Sequence, residues 1–340
     1  MSKKNLKVLF IGGTGVISSA CSELALERNI ELYHLNRGIS KSIRPIEGVK
    51  ILEGNIRDPE QVQKLIQDKY FDVVVDWLVF EPAHIKTDIE LFADKTEQYI
   101  FISTASAYQT PPKSLPVTEE TPLNNPFWEY ARKKIKCEQI LKEEYKKNNF
   151  PYTVVRPSHT YDETFPPFEG GYTVLDRIKK EKKVVIHGEG SSIWTLTHHK
   201  DFAKGFVGLL GNKEAIGEDF HITSDHWKSW LQIYKIFAQE LGVELDPVFL
   251  PSEIIAKYDQ ELGASLLGDK THSMIFDNSK IKSLVPDFSA DIPLKKGARE
   301  IIDWYEEHPD QRDIDKELDA KFDKMISEYT NKTSNIGTNS

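Results

Sequence analysis

The first half of the chain alternates apolar runs with helix-like stretches, and this alternation restricts the fold more than any other feature. "KVLFIGG", "IELYHLN", "VKILEGN", "FDVVVDWLVF", "EQYIFISTAS" and "YTVVRP" read as strands. The first is a continuous apolar run, as expected of a strand buried on both faces. Helices are predicted from Val16 to Arg28 and over "DPEQVQKLIQDKY", "PAHIKTDIELFADK" and "NPFWEYARKKIKCEQILKEEYKKNN". Asp58 is a natural N-cap there, and Pro59 suits a first helical turn. Repeated strand–helix alternation implies a parallel sheet with right-handed crossovers and helices on both faces. After Pro157 the pattern loosens. Aromatics, prolines and glycines crowd "SHTYDETFPPFEGGY", and mostly helical segments follow, with strands at "VVIHGEG" and "EDFHITS".

The stretch "FIGGTGVIS" leaves the first strand and opens a helix. Glycines at that junction let backbone N–H groups and a helix N-terminus approach a pyrophosphate. Gly13 and Gly15 fit the first two glycine roles, Gly12 extends the turn, and the small Ser18 takes the third place. Gly12, Gly13, Thr14, Gly15, Val16 and Ile17 are therefore candidate cofactor contacts. The expected fold is α/β: a Rossmann-type doubly wound parallel sheet with a smaller, mainly C-terminal substrate-binding subdomain. Its divisions are a dinucleotide-binding domain over 1–160 with a strand returning near 218–224, and a substrate subdomain over 161–310. A C-terminal helix over 311–329 and a disordered tail over 330–340 complete the expected chain. At the end of the second strand, where an NAD site wants a carboxylate for the ribose, the chain has Asn36 and Arg37. Arginine there suits a 2′-phosphate, so NADP is favoured over NAD. Asp76 and Trp77, ending the fourth strand, sit beside the expected cofactor cleft.

The chemistry signal is "YARKK". Tyr130 and Lys134, four apart on a helix, share a face. An ammonium near a phenol is expected to lower the phenol's pKa toward neutrality and make it a usable proton carrier. Thr104 is the natural partner to orient a substrate oxygen.

"GGTGVIS", "STASAY" and "YARKK", in this order, resemble the extended short-chain dehydrogenase/reductase superfamily over roughly residues 5–310. The likeness is greatest to its NAD(P)-dependent epimerase/dehydratase group, which includes plant chloroplast stem-loop-binding relatives with a similar "NRG". The resemblance implies that Thr104, Tyr130 and Lys134 are the catalytic residues. It puts Asn55 and Ile56 near the adenine and Pro157 and Ser158 beside the nicotinamide. It puts Ala105, Ser106, Phe165 and Trp194 with Thr104 at the substrate. Departures from the family also inform. The acids of sugar-nucleotide 4,6-dehydratases are replaced by Ala105 and Ser106, which argues against dehydration. Trp194 stands near the place of a diphosphate-gripping arginine, and "SLLGDK" lacks a second one. Arg177 is a basic residue that could substitute. A cleft with aromatics in place of arginines favours a less charged substrate.

The adjacent His198 and His199 are expected to face opposite sides of a strand, and no metal site is expected. The net charge of −9 argues against a nucleic-acid surface. No run approaches a membrane span or a signal-peptide core, so the expected setting is cytoplasmic. Cys21 and Cys137, the two cysteines, read as thiols rather than a disulfide. Three function classes remain: an NADP(H)- or NAD(H)-dependent oxidoreductase acting on a sugar-like alcohol or ketone, a nucleotide-sugar epimerase that recycles its cofactor, and a non-catalytic RNA-binding relative. The first is favoured, with a small-molecule substrate as partner and a homodimer possible.

Overall fold

The computed structural model describes residues 5–38, 44 and 46–336. The chain forms β1 (Lys7–Ile11), β2 (Glu31–Asn36), β3 (Lys50–Glu53), β4 (Phe71–Asp76), β5 (Thr96–Ile102) and β6 (Tyr152–Pro157). With the later strand Asp219–Ile222 they make a seven-stranded sheet, ordered Asp219–Ile222, β6, β5, β4, β1, β2, β3. Every neighbouring pair is parallel. The architecture is thus the Rossmann-type α/β fold expected from the alternation. Strand periodicity splits the apolar run of β1 between two cores. Val8 and Phe10 pack with Phe206 and Ile222 on one face. Leu9 and Ile11 pack with Phe92 and Phe101 on the other.

Helices α1 (Val16–Glu27), α2 (Pro59–Ile66), α3 (Pro82–Phe92) and α4 (Glu129–Asn148) cover the sheet. Asp58 caps α2 by accepting the Gln61 N–H at 3.1 Å, and Pro59 fills its first turn. The strand order reverses between β1 and β4, so the crevice beyond their C-terminal ends is where such a sheet receives a ligand.

The second lobe has its own core around Trp194, Trp230, Phe237, Leu250 and Ile301. Its strands Val184–His187 and Pro247–Leu250 pair in parallel outside the main sheet. The segment "SEIIAKYDQEL" divides into Ser252–Tyr258 and Gln260–Ser265. Asp259 between them is extended at φ −148° and caps the second helix through the Leu262 N–H at 3.1 Å. The last helix runs Lys316–Ile336, so residues 330–336 continue it instead of joining a disordered tail. The rest of the expected tail, 337–340, and the basic start, 1–4, lie outside the described residues. Cys21 and Cys137 are free and buried. Among the described residues no helix is long and apolar enough to cross a membrane.

Candidate active site

The turn after β1 explains its own residues. Gly12 and Gly13 have φ of +97° and +114°, a region that strains any side chain. A Cβ on Gly13 would meet the His34 ring at 2.5 Å. His34 is buried behind the turn, held by Ser22 Oγ at 2.9 Å from its Nε2. Ser22 Oγ also donates to Ser18 O at 2.8 Å. Ser18 closes the turn, because its Oγ accepts the Gly15 N–H at 2.8 Å. The serine in the third glycine position is therefore a cap as well as a small residue. Thr14, Val16 and Ile17 carry the backbone into α1, with its N-terminus toward the crevice.

The turn fits a dinucleotide. Its glycines leave the backbone open to a phosphate, and Asn36 Oδ1 at the end of β2 is buried without a donor. That is where a ribose hydroxyl would supply one. Arg37 beside it is exposed. Arg44, which sequence reasoning did not single out, lies between the glycine turn and the segment 162–164. It pairs with Asp162 at 2.6 Å and also donates to Thr164 Oγ1 and, at 3.4 Å, to Thr14 O.

Other expected cofactor contacts are engaged within the protein. Ile56 is 4% exposed, and its side chain belongs to the core. Asn55 turns its Oδ1 to the Arg57 N–H at 3.1 Å, closing its own loop. Trp77 packs on Phe10 and Phe206 with ring centroids at 5.4 and 4.9 Å. Asp76 is fully buried and accepts the Leu78 N–H. Its Oδ2 and Asp88 Oδ1 both lack an outside donor. Burial and the charge of Asp76 hold the Asp88 carboxyl well above the usual range. Asp76 is thus a floor under the crevice and not a contact surface.

Past the C-terminal ends of β5 and β6 lies a cleft of about 680 Å³. Thr104, Ala105, Ser106, Tyr130, Pro157, Ser158, Phe165 and Trp194 all line it, so the structure gathers the residues expected at the nicotinamide and the substrate. Thr104 follows β5, and its hydroxyl accepts the Ser106 N–H at 3.2 Å and bonds to Tyr130. Lys134, one turn along α4, lies 5.7 Å from the Tyr130 ring centroid. Its Nζ donates to Val79 O at 2.5 Å and Ile102 O at 2.8 Å. The expected lowering of the phenol is not found. Burial pushes Tyr130 up to about 12, against the Thr104 hydrogen bond. Burial also brings Lys134 down to about 8. Because the ammonium is turned to two carbonyls, burial dominates the phenol.

Several expectations from single residues are corrected. Arg177 is 2% exposed and is held by Asp319, Asp323 and Lys183 O, so it cannot reach the cleft. His198 and His199 do not point apart. The chain turns into the helix His199–Leu209 between them, and their ring centroids lie 4.6 Å apart. His198 pairs with Glu300 at 2.8 Å. His199, Asp162 and Glu163 bring potential ligand atoms within 4.8 Å of one another, a grouping invisible in the sequence, although Arg44 already engages Asp162. Sequence reasoning also missed Glu169, Asp269 and Lys270, which meet at the cleft from separate segments.

Residues 8–223 match the NAD dependent epimerase/dehydratase family. The chain is 24% identical over 288 residues to 2′-dehydrokanamycin reductase of Streptomyces kanamyceticus, covering 83% of this chain and 80% of that one. It is 31% identical over 170 residues to UDP-glucose 4-epimerase of Lactobacillus helveticus, covering 44% of this chain and about half, 51%, of the epimerase. The fold superposes on UDP-glucuronic acid 4-epimerase of Bacillus cereus, solved with UDP-glucuronic acid and NAD. The TM-score is 0.71 at 21% identity, over 89% of this chain and 99% of the other. With its turn, sheet order and cleft in place, the chain belongs to the NAD dependent epimerase/dehydratase family and is an enzyme of the extended short-chain dehydrogenase/reductase type.

Proposed function

We propose that the protein is an NADP(H)-preferring oxidoreductase that interconverts a hydroxyl and a carbonyl on a sugar-like small molecule. The observation that carries this reading is Thr104 bonded to Tyr130 in the cleft wall, with Lys134 Nζ 5.7 Å from the Tyr130 ring centroid behind them. The turn, Asn36 and Arg37 would hold a nicotinamide dinucleotide, which would supply or accept the hydride when bound. Thr104 orients the substrate oxygen, and Tyr130 exchanges its proton with that oxygen. At neutral pH a phenol pushed up to about 12 keeps its proton, which is the state needed to protonate the oxygen of a carbonyl being reduced. Lys134, with a pKa of about 8, stays mainly an ammonium at pH 7. It ties the segment after β4 to the end of β5 and so holds the floor on which Tyr130 stands. Arg37 receives the 2′-phosphate.

Denaturing the purified protein and identifying the released dinucleotide separates this reading from internal epimerisation. Net redox chemistry predicts a cofactor that exchanges freely and NADPH consumption with a carbonyl sugar. Stoichiometric retained NAD, with no NADPH consumption, would replace the reading by an epimerase.

A further inference from the structure

A second, smaller cavity of about 220 Å³ shares one wall with the cleft, because Trp194 lines both. Thr104, Tyr130 and Lys134 are not among its lining residues. Its floor is apolar. Trp194 and Leu196 are buried there, Ile236 comes from the helix Trp230–Leu241, and Ile292 and Leu294 flank Pro293 at the start of the helix Leu294–Glu307. Close-packed interiors leave few hollows larger than a water molecule, so one of this size stands out. An apolar cavity of about 150 Å³ is enough to take up benzene. Here there is room for an aromatic ring and one small substituent.

The rim is cationic. His226, Lys228 and Lys295 line the cavity, and no carboxylate does, although the whole chain carries a net charge of −9. Both lysines are exposed and lightly held. Lys228 Nζ donates to Trp227 O at 3.3 Å. Lys295 Nζ stands 3.5 Å from Glu240, whose carboxylate Arg299 grips at 2.8 Å. An ammonium has three donors, so each keeps some for a ligand. The helix Leu294–Glu307 adds to this field. Its first turn holds Lys295 and Lys296, no acid, and no side-chain cap. Cations at the positive end of a helix are repelled by its dipole, and an anion at that end relieves them.

We propose that this cavity binds a small aromatic carboxylate, with its ring on the apolar floor against Trp194 and its carboxylate received by Lys228 and Lys295. The charge of the rim turns away an amine, and the floor offers a bare inorganic anion nothing to pack on. An occupant there lies one indole away from the reaction cleft.

The test is calorimetric titration of the full chain, with and without NADPH, using benzoate, benzamide and benzylamine. Benzoate binds at least about tenfold more tightly than the neutral or the cationic probe, and its affinity falls as salt rises. Lys228→Gln and Lys295→Gln, both at exposed positions, each weaken benzoate about three- to fivefold, and together by at least about tenfold. Ile236→Trp fills the hollow and abolishes binding. Where that larger side chain disturbs folding, the two surface lysine variants carry the test. The proposal is overturned if benzoate does not bind or if benzamide binds as tightly. It is overturned equally if the double lysine variant leaves the affinity unchanged, since the anion then sits elsewhere. Benzoate that binds only without NADPH would lie in the cofactor crevice and would also overturn it. Benzoate binding with this pattern in a protein that takes no NADPH would remove the oxidoreductase reading alone.

Discussion

The glycine turn after β1 is shaped by backbone conformation, whereas the cleft beyond it is lined by charged side chains. Gly12 and Gly13 take conformations closed to other residues, and Ser18 caps the turn through the Gly15 N–H. The walls opposite are carboxylates from residues 169, 259, 261, 269 and 315, brought together from four separate segments. A backbone-built site depends on a few contiguous residues and stays recognisable as relatives diverge. A charge-built site can change its substrate class by exchanging single side chains while the fold stands.

The largest effect expected is at the turn. Gly13→Ala forces a Cβ into the His34 ring at a φ of +114°, and should cost about 2–5 kcal/mol of stability. Thermal unfolding measures it. Adding His34→Ala should restore only the steric part. A fully stable Gly13→Ala protein would break the backbone side of the comparison.

Acid comes next, and it acts on both halves. Burial lowers His34 in the cofactor half and His187 in the substrate half from 6.5 to about 4. Below pH 6.5 the unfolded chain therefore binds protons that the folded chain refuses. Their stabilisation is complete above pH 6.5 and is lost as pH falls to about 4, on the order of 2–3 kcal/mol for each ring. A melting temperature unchanged from pH 7 to 4 would contradict this. A smaller slope for His34→Gln would assign its share to the cofactor half.

A subtler effect sharpens the cofactor side. Arg37→Ala should weaken NADPH binding roughly tenfold or more and leave NADH nearly unchanged, as one charge-assisted contact is worth about 1.5–3 kcal/mol. Equal losses for both dinucleotides would move the 2′-phosphate elsewhere.

How much of this was legible in the sequence follows the same division. The sheet, the glycine turn and the Asp58 cap rest on local pattern, and the chain displays them in contiguous residues. Tyr130 and Lys134 stand out by their spacing on one helix, and Thr104 by the resemblance of the segment after β5. The pairing of Asp76 with Asp88 and the Glu169–Lys270–Asp269 cluster were not legible, since each joins residues far apart in sequence. The behaviour of Tyr130 was misjudged for a related reason. Spacing places an ammonium near a phenol, but only the fold shows that Val79 O and Ile102 O hold that ammonium. The two histidines failed on a boundary: a helix begins at His199, where strand alternation was assumed.

The measurement that bears most directly on the account is the turnover of Tyr130→Phe, read as NADPH consumption with a carbonyl sugar, beside its NADPH affinity. The account predicts turnover reduced by roughly two to four orders of magnitude with cofactor affinity within about twofold of the parent protein. Turnover equal to that of the parent protein would show that the proton comes from another group.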